Sequence, residues 1–168
     1  RVSPRWIPNL PWVSASPELN VRTYVVCDGK PGVWFYSLDA TNWLAVRTAR
    51  WTYNLKYMDA RIQFEDEGDW ISYASQRTHR GEAPAQLDCR YRGVGKPFAT
   101  EPGTLEHWLT SRYCLYAANR QGDVYRGEVD HPPWQILQGE AEISTNTMTE
   151  GIGVALPDDP PLVHFARQ

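Results

Sequence analysis

A chain of 168 residues with a formal charge of -3, 42% hydrophobic and 22% charged residues, has the size and composition of one globular domain with a sizeable core. The slight acidic excess speaks against nucleic acid as a partner, because phosphate recognition draws on clustered Lys and Arg. No apolar run reaches the ~18 residues of a membrane-crossing helix, no signal peptide is visible, and no membrane partner is expected.

Residues 1–20 hold four prolines and no sustained periodicity, which predicts an extended, loop-rich entry. "VRTYVVC" (21–27) and "VWFYSLD" (33–39) are rich in β-branched and aromatic residues and flank the turn "DGKPG", so they read as a hairpin. The period then changes. Thr41 or Asn42 serves as a cap, and Leu44, Thr48 and Trp51 fall on one face of a short helix over about 42–52. "YMDARIQFED" (57–66) and "DWISYASQRT" (69–78) form a second hairpin, and "AQLDCRYRG" (85–93) is a further strand. Thr104 caps a second short helix over 103–112. Two strands flank "NRQGD" within 113–131, "HPPW" turns, and 135–145 is a strand. "NTMTEGIG" supplies one helical turn, and 162–167 is a last strand. Eight or nine strands and two short helices predict a mainly β domain, closed or nearly closed into a barrel.

Cys27, Cys89 and Cys114 are odd in number, widely spaced and without a CxxC pair, which fits reduced thiols and a cytoplasmic protein. There is no GxGxxG, P-loop or GxSxG elbow, and no His/Cys cluster with zinc spacing, so neither a cofactor nor a metal is expected. The acids of "FEDEGD" (64–69) read as solvated turn charges. Glu140 and Glu142 share one strand face and form an acid/base pair if that face is interior, solvent charges if it is exterior.

The first strand is more informative. Alternation puts Glu18, Asn20, Arg22 and Tyr24 on one face and Leu19, Val21, Thr23 and Val25 on the other. A two-sided strand normally turns its polar face to water; in a barrel with an enclosed pocket that face can instead line the cavity. Arg112 stands beside Tyr113, and His131 sits between rigid turn residues, as a proton carrier at a pocket mouth or an ordinary hydrogen-bonded turn histidine.

Taken in order, "PELNVRTYV", "DGKPGVWFYSLDATNWLAVRTAR", "LKYMDARI", "LTSRYCLY", "YRGEVDHPPW" and "GEAEI" resemble the YqjF-like family of uncharacterised bacterial proteins over residues 17–167. Members of that family extend further at both ends, which implies that these residues are part of a longer protein. The family is similar in turn to the acetoacetate-decarboxylase-like fold, a barrel-type domain with a central cavity, in which Glu18 falls at a pocket glutamate.

The decarboxylases carry a Gly-aromatic-Pro-Lys-Lys turn whose lysine forms a Schiff base, activated by a neighbouring cation and by desolvation. Laid on "NLKYMDA", that turn puts Leu55 at the aromatic position and Lys56 at the proline, while Tyr57 and Met58 replace the lysines. Slipping the register by one residue would turn the next strand inside out. Decarboxylase chemistry is therefore not expected.

The resemblance implies a cavity for a small organic anion, with Arg22 and Arg112 pairing the anion and Asn20, Tyr57 and Tyr113 beside them. An alternative is a lyase- or hydrolase-type enzyme with Glu18 and His131 as acid and base. A third is a scaffold whose interior is filled by side chains.

Overall fold

The computed structural model describes residues 2–6 and 17–166. In chain order its elements are β1 (Val2–Trp6), β2 (Glu18–Cys27), β3 (Lys30–Ala40), α1 (Trp43–Tyr53), β4 (Tyr57–Asp66), β5 (Ile71–Arg77), β6 (Gln86–Ala99), α2 (Leu105–Thr110), β7 (Cys114–Ala118), β8 (Val124–Glu128), β9 (Gln135–Asn146) and β10 (His164–Phe165). The described residues are mainly β with two α-helices, and a 3-10 turn covers Glu150–Ile152. The chain divides into two compact units, Arg1–Ala60 with Arg112–His131, and Arg61–Ser111 with Pro132–Gln168.

In the first unit β2 and β3 form an antiparallel hairpin. Asp28 and Gly29 close it at φ 51° and 74°, the mirror-type turn that an Asp-Gly pair favours. β3 then passes through α1 into β4, which pairs with it in parallel (Leu38↔Tyr57, Asp39↔Met58, Ala40↔Asp59). Asn42 caps α1 by accepting from Leu44 N at 3.1 Å, and Asn54, at φ 53°, ends it in the left-handed conformation. β7 and β8 form the second hairpin of this unit. Asn119 Oδ1 ties their turn by accepting from Gln121 N at 3.0 Å and Asp123 N at 2.9 Å.

The core of this unit gathers Val33, Leu38, Ala40, Leu55, Tyr57 and Leu115 against Val46 and Ala49 of α1. An irregularity in the ladder makes this possible. Val21 pairs with Ser37 and Arg22 with Phe35, so Tyr36 is an extra residue in β3. It switches the parity of β3, and Val33 comes to face the same side as Leu38 and Ala40. The stripe Leu44, Thr48 and Trp51 does form on α1, but it is exposed.

The barrel expected from the strand count is corrected by the pairings. Closure requires two neighbours for every strand. β2 holds one edge of β3 along its length, while β7 (Val33↔Leu115, Trp34↔Tyr116) and β4 share the other edge. Among the described residues β2 pairs only with β3, β1 only with β8, and β10 only with β9. β1, in parallel with β8, lies in the stretch expected to be loop; its Pro4 is tolerated because the strand is an edge. Residues 7–16 of that stretch lie outside the described ones.

In the second unit the order is β4, β5, β6, β9, β10. β6 pairs antiparallel with β5 and with β9. β10 is shorter than the strand expected over 162–167 and rests Phe165 on Gly93, where a Cβ would stand 2.6 Å from the ring. Cys114 is buried while Cys27 and Cys89 are partly exposed, and all three are free thiols. No helix among the described residues is long and apolar enough to cross a membrane.

Candidate functional site

Glu18, Asn20, Arg22, Tyr57, Arg112, Tyr113 and His131 all lie in the first unit, and they fall into two groups. Cross-strand partners project to the same side of a ladder. The rows Glu18–Ala40–Asp59 and Asn20–Leu38–Tyr57 therefore put Glu18, Asn20, Tyr57 and Asp59 on the face where Leu38 and Ala40 meet the core. Tyr57 and Asn20 both hydrogen-bond the Glu18 carboxyl. Burial raises that carboxyl above the ordinary carboxylate value, and the two hydrogen bonds partly offset the rise. Burial, with the Glu18 charge beside it, pushes the Tyr57 phenol well above its usual range. Tyr57 thus keeps its proton and can only donate a hydrogen bond to Glu18.

The second group is built on Tyr24. The Arg22 and Arg112 guanidinium carbons stand 5.7 Å and 5.5 Å from the centroid of its ring, within cation–π range. Arg22 Nη2 also donates to Tyr24 Oη at 3.5 Å. The Arg112 backbone carbonyl accepts from His131 Nε2 at 3.3 Å, and the His131 ring stacks on Tyr113 at 4.7 Å with 17° between the planes. A carbonyl only accepts, so Nε2 of His131 carries a proton in this contact. Within β2, the residues expected to look inward are divided: Glu18 and Tyr24 are half-buried, whereas Asn20 and Arg22 are exposed.

Elsewhere the chemistry is structural. Lys56 is exposed at the start of β4. Glu140 and Glu142 sit opposite Arg92 and Arg90 in the β6–β9 ladder and are ion-paired with them, Arg92 Nε at 2.8 Å and Arg90 Nε and Nη2 at 2.8 and 2.9 Å. Both guanidiniums lie on the Trp70 ring, at 4.8 and 4.7 Å. A groove of about 410 Å³ in the second unit is lined by Ser72, Asp88, Cys89, Arg90, Glu142, Ile143 and Ser144. It lies where Ser144 is an extra residue in β9. No group of three or more His, Cys, Asp or Glu among the described residues is placed to hold a metal.

The sequence reading passed over Asp39, a carboxylate with 0% exposure on the opposite face of β3 from Leu38. Its signal was parity within "YSLDA", where Ser37 and Asp39 alternate with Leu38 and Ala40.

Residues 1–168 match DUF2071, described as an uncharacterized conserved protein. The chain belongs to the DUF2071 family. "Uncharacterized protein YqjF" of Bacillus subtilis (strain 168) is 43% identical over 164 residues, which cover 98% of this chain and 66% of that relative. The chain thus spans about two thirds of the length of the curated relative it matches. The YqjF-like resemblance carried by the sequence motifs agrees with both findings.

Proposed function

We propose that the first unit binds a small organic anion beside Tyr24, with Arg22 and Arg112 as its charge partners and Glu18–Tyr57 as a proton-handling pair. The observation that carries this reading is the convergence of two guanidiniums on one tyrosine ring. Guanidinium forks match carboxylates bidentately, and both guanidiniums stand within cation–π range of the Tyr24 ring. The likeness in motif order to the acetoacetate-decarboxylase-like fold supports a ligand-binding role for this face, without the Schiff-base lysine. The test is thermal melting of the chain with acetate, succinate and β-keto acids. A ligand that binds the native state raises Tm by mass action. Arg112→Gln should abolish the rise; a rise unaffected in both Arg22→Gln and Arg112→Gln, or no rise with any anion, removes the proposal.

A second reading is turnover of the bound anion, with Glu18 as acid and His131 as base. The raised Glu18 carboxyl favours it, because a carboxyl that keeps its proton at higher pH is a better acid at working pH. Product formation lost in both Glu18→Gln and His131→Asn would support this reading; binding without turnover would leave a binding module.

A further inference from the structure

The exposed stripe of α1 is chemically specific. At about 100° per residue, Trp43, Leu44, Arg47, Thr48 and Trp51 fall within one arc, opposite Val46 and Ala49 in the core. Trp43, Leu44 and Trp51 are 62%, 58% and 86% exposed. Arg47 lies mid-arc with its guanidinium 5.8 Å from the Trp43 ring centroid. α1 contains no acidic residue, and the exposed Lys56 follows it. The unit to which α1 belongs has ten basic against seven acidic residues, while the other has seven against thirteen. A chain of net negative charge thus presents Trp43 and Trp51, the two most exposed of its described tryptophans, on its basic unit.

We propose that this face of α1 is a peripheral contact for an anionic lipid surface. Tryptophan rings favour the headgroup boundary, where an apolar body and an N–H both find partners. Arginine beside them meets lipid phosphates, and each basic residue near such a surface contributes about 1 kcal/mol. Patch size favours a bilayer over a protein. Two tryptophans and a leucine offer on the order of 400 Å², about half of the ~800 Å² per partner that a stable protein interface buries. A bilayer needs only a shallow wedge with basic flanks. Val46 and Ala49 hold the helix in place, so its outer face is already ordered before contact.

The test is co-sedimentation of the chain with phosphatidylcholine vesicles, with and without phosphatidylglycerol, together with tryptophan fluorescence. Binding should require phosphatidylglycerol, fall with added salt and shift the emission to the blue. Trp51→Ser should weaken it roughly tenfold, and Arg47→Glu should weaken it at least about fivefold. Both positions are solvent-facing, and unchanged far-UV circular dichroism would establish that the variants fold. No binding to phosphatidylglycerol vesicles, or equal binding to neutral ones, overturns the proposal. So does concentration-dependent self-association in sedimentation that Trp51→Ser abolishes, because the stripe would then be a contact between copies.

Discussion

Tyr57 donates a hydrogen bond to Glu18 across the intervening strand β3. Its acceptor is a carboxyl whose proton affinity is raised by burial, so the folded protein holds that proton more tightly than the unfolded chain. The contribution of Glu18 to stability is therefore full below the ordinary value of 4.5 and is lost as pH rises through the raised folded value. Urea unfolding should show Glu18→Gln gaining on the parent over that rise. An advantage that grows as pH falls would contradict the burial argument. Tyr57→Phe should cost on the order of 1–2 kcal/mol above the transition and less below it, where the carboxyl is neutral.

Gly32 is required by close approach rather than by backbone angle. A Cβ there would stand 2.7 Å from Cys114 Sγ and from the Tyr116 ring, and 2.8 Å from the Cys114 carbonyl oxygen. Tyr116 cannot yield easily, because its Oη donates to Lys30 O at 2.9 Å. Gly32→Ala should cost about 1–3 kcal/mol in denaturant unfolding. Adding Cys114→Ala should not restore stability, since the carbonyl oxygen remains in place; full rescue would place the clash at the thiol alone.

The carboxylates of β9 behave as solvent charges. The Arg90–Glu142 and Arg92–Glu140 pairs are 49%/58% and 37%/51% exposed, so screening leaves little net energy in either. Glu140→Gln with Glu142→Gln should shift stability by under about 1 kcal/mol and leave any anion binding unchanged. Trp70→Ala should cost more, about 1–3 kcal/mol, because the ring is half-buried and carries both guanidiniums. A larger effect from the glutamates than from Trp70 would return them to the functional candidates.

Local signals were readable wherever one residue decides the geometry. Asp28-Gly29 announced its hairpin, Asn42 and Thr104 capped their helices, and "NRQGD" turned between β7 and β8. Pairing partners were not readable in this way. The extra Tyr36 switches the face of β3 midway, a change that an alternating pattern does not reveal. Among the described residues β2 pairs only with β3, and Asn20 and Arg22 are exposed while Glu18, which alternates with them, is half-buried. On α1, Trp51 and Leu44 suggested a face more strongly than the smaller Val46 and Ala49, yet the small residues are the ones packed beneath the helix. The contacts of Tyr24 with Arg22 and Arg112 join β2 to the start of β7, 88 residues apart for Tyr24 and Arg112, and no local pattern encodes such a meeting.

Lysine chemistry is testable directly. Amine activation needs low-dielectric surroundings or an adjacent cation. Lys56 and Lys96 are exposed, and Lys30 donates to both oxygens of Glu128 at 2.9 and 2.7 Å. The Met58 sulfur accepts from Arg50 Nη1 at 3.4 Å. Incubation with a β-keto acid followed by borohydride should leave all three lysines unmodified by mass spectrometry. Lys56→Ala should alter stability by no more than about 0.5 kcal/mol. A reduced adduct on Lys56 would mean that the exposed amine finds a desolvated environment once the acid is bound, and the anion-binding reading would then have to be rebuilt around that amine rather than around Arg112.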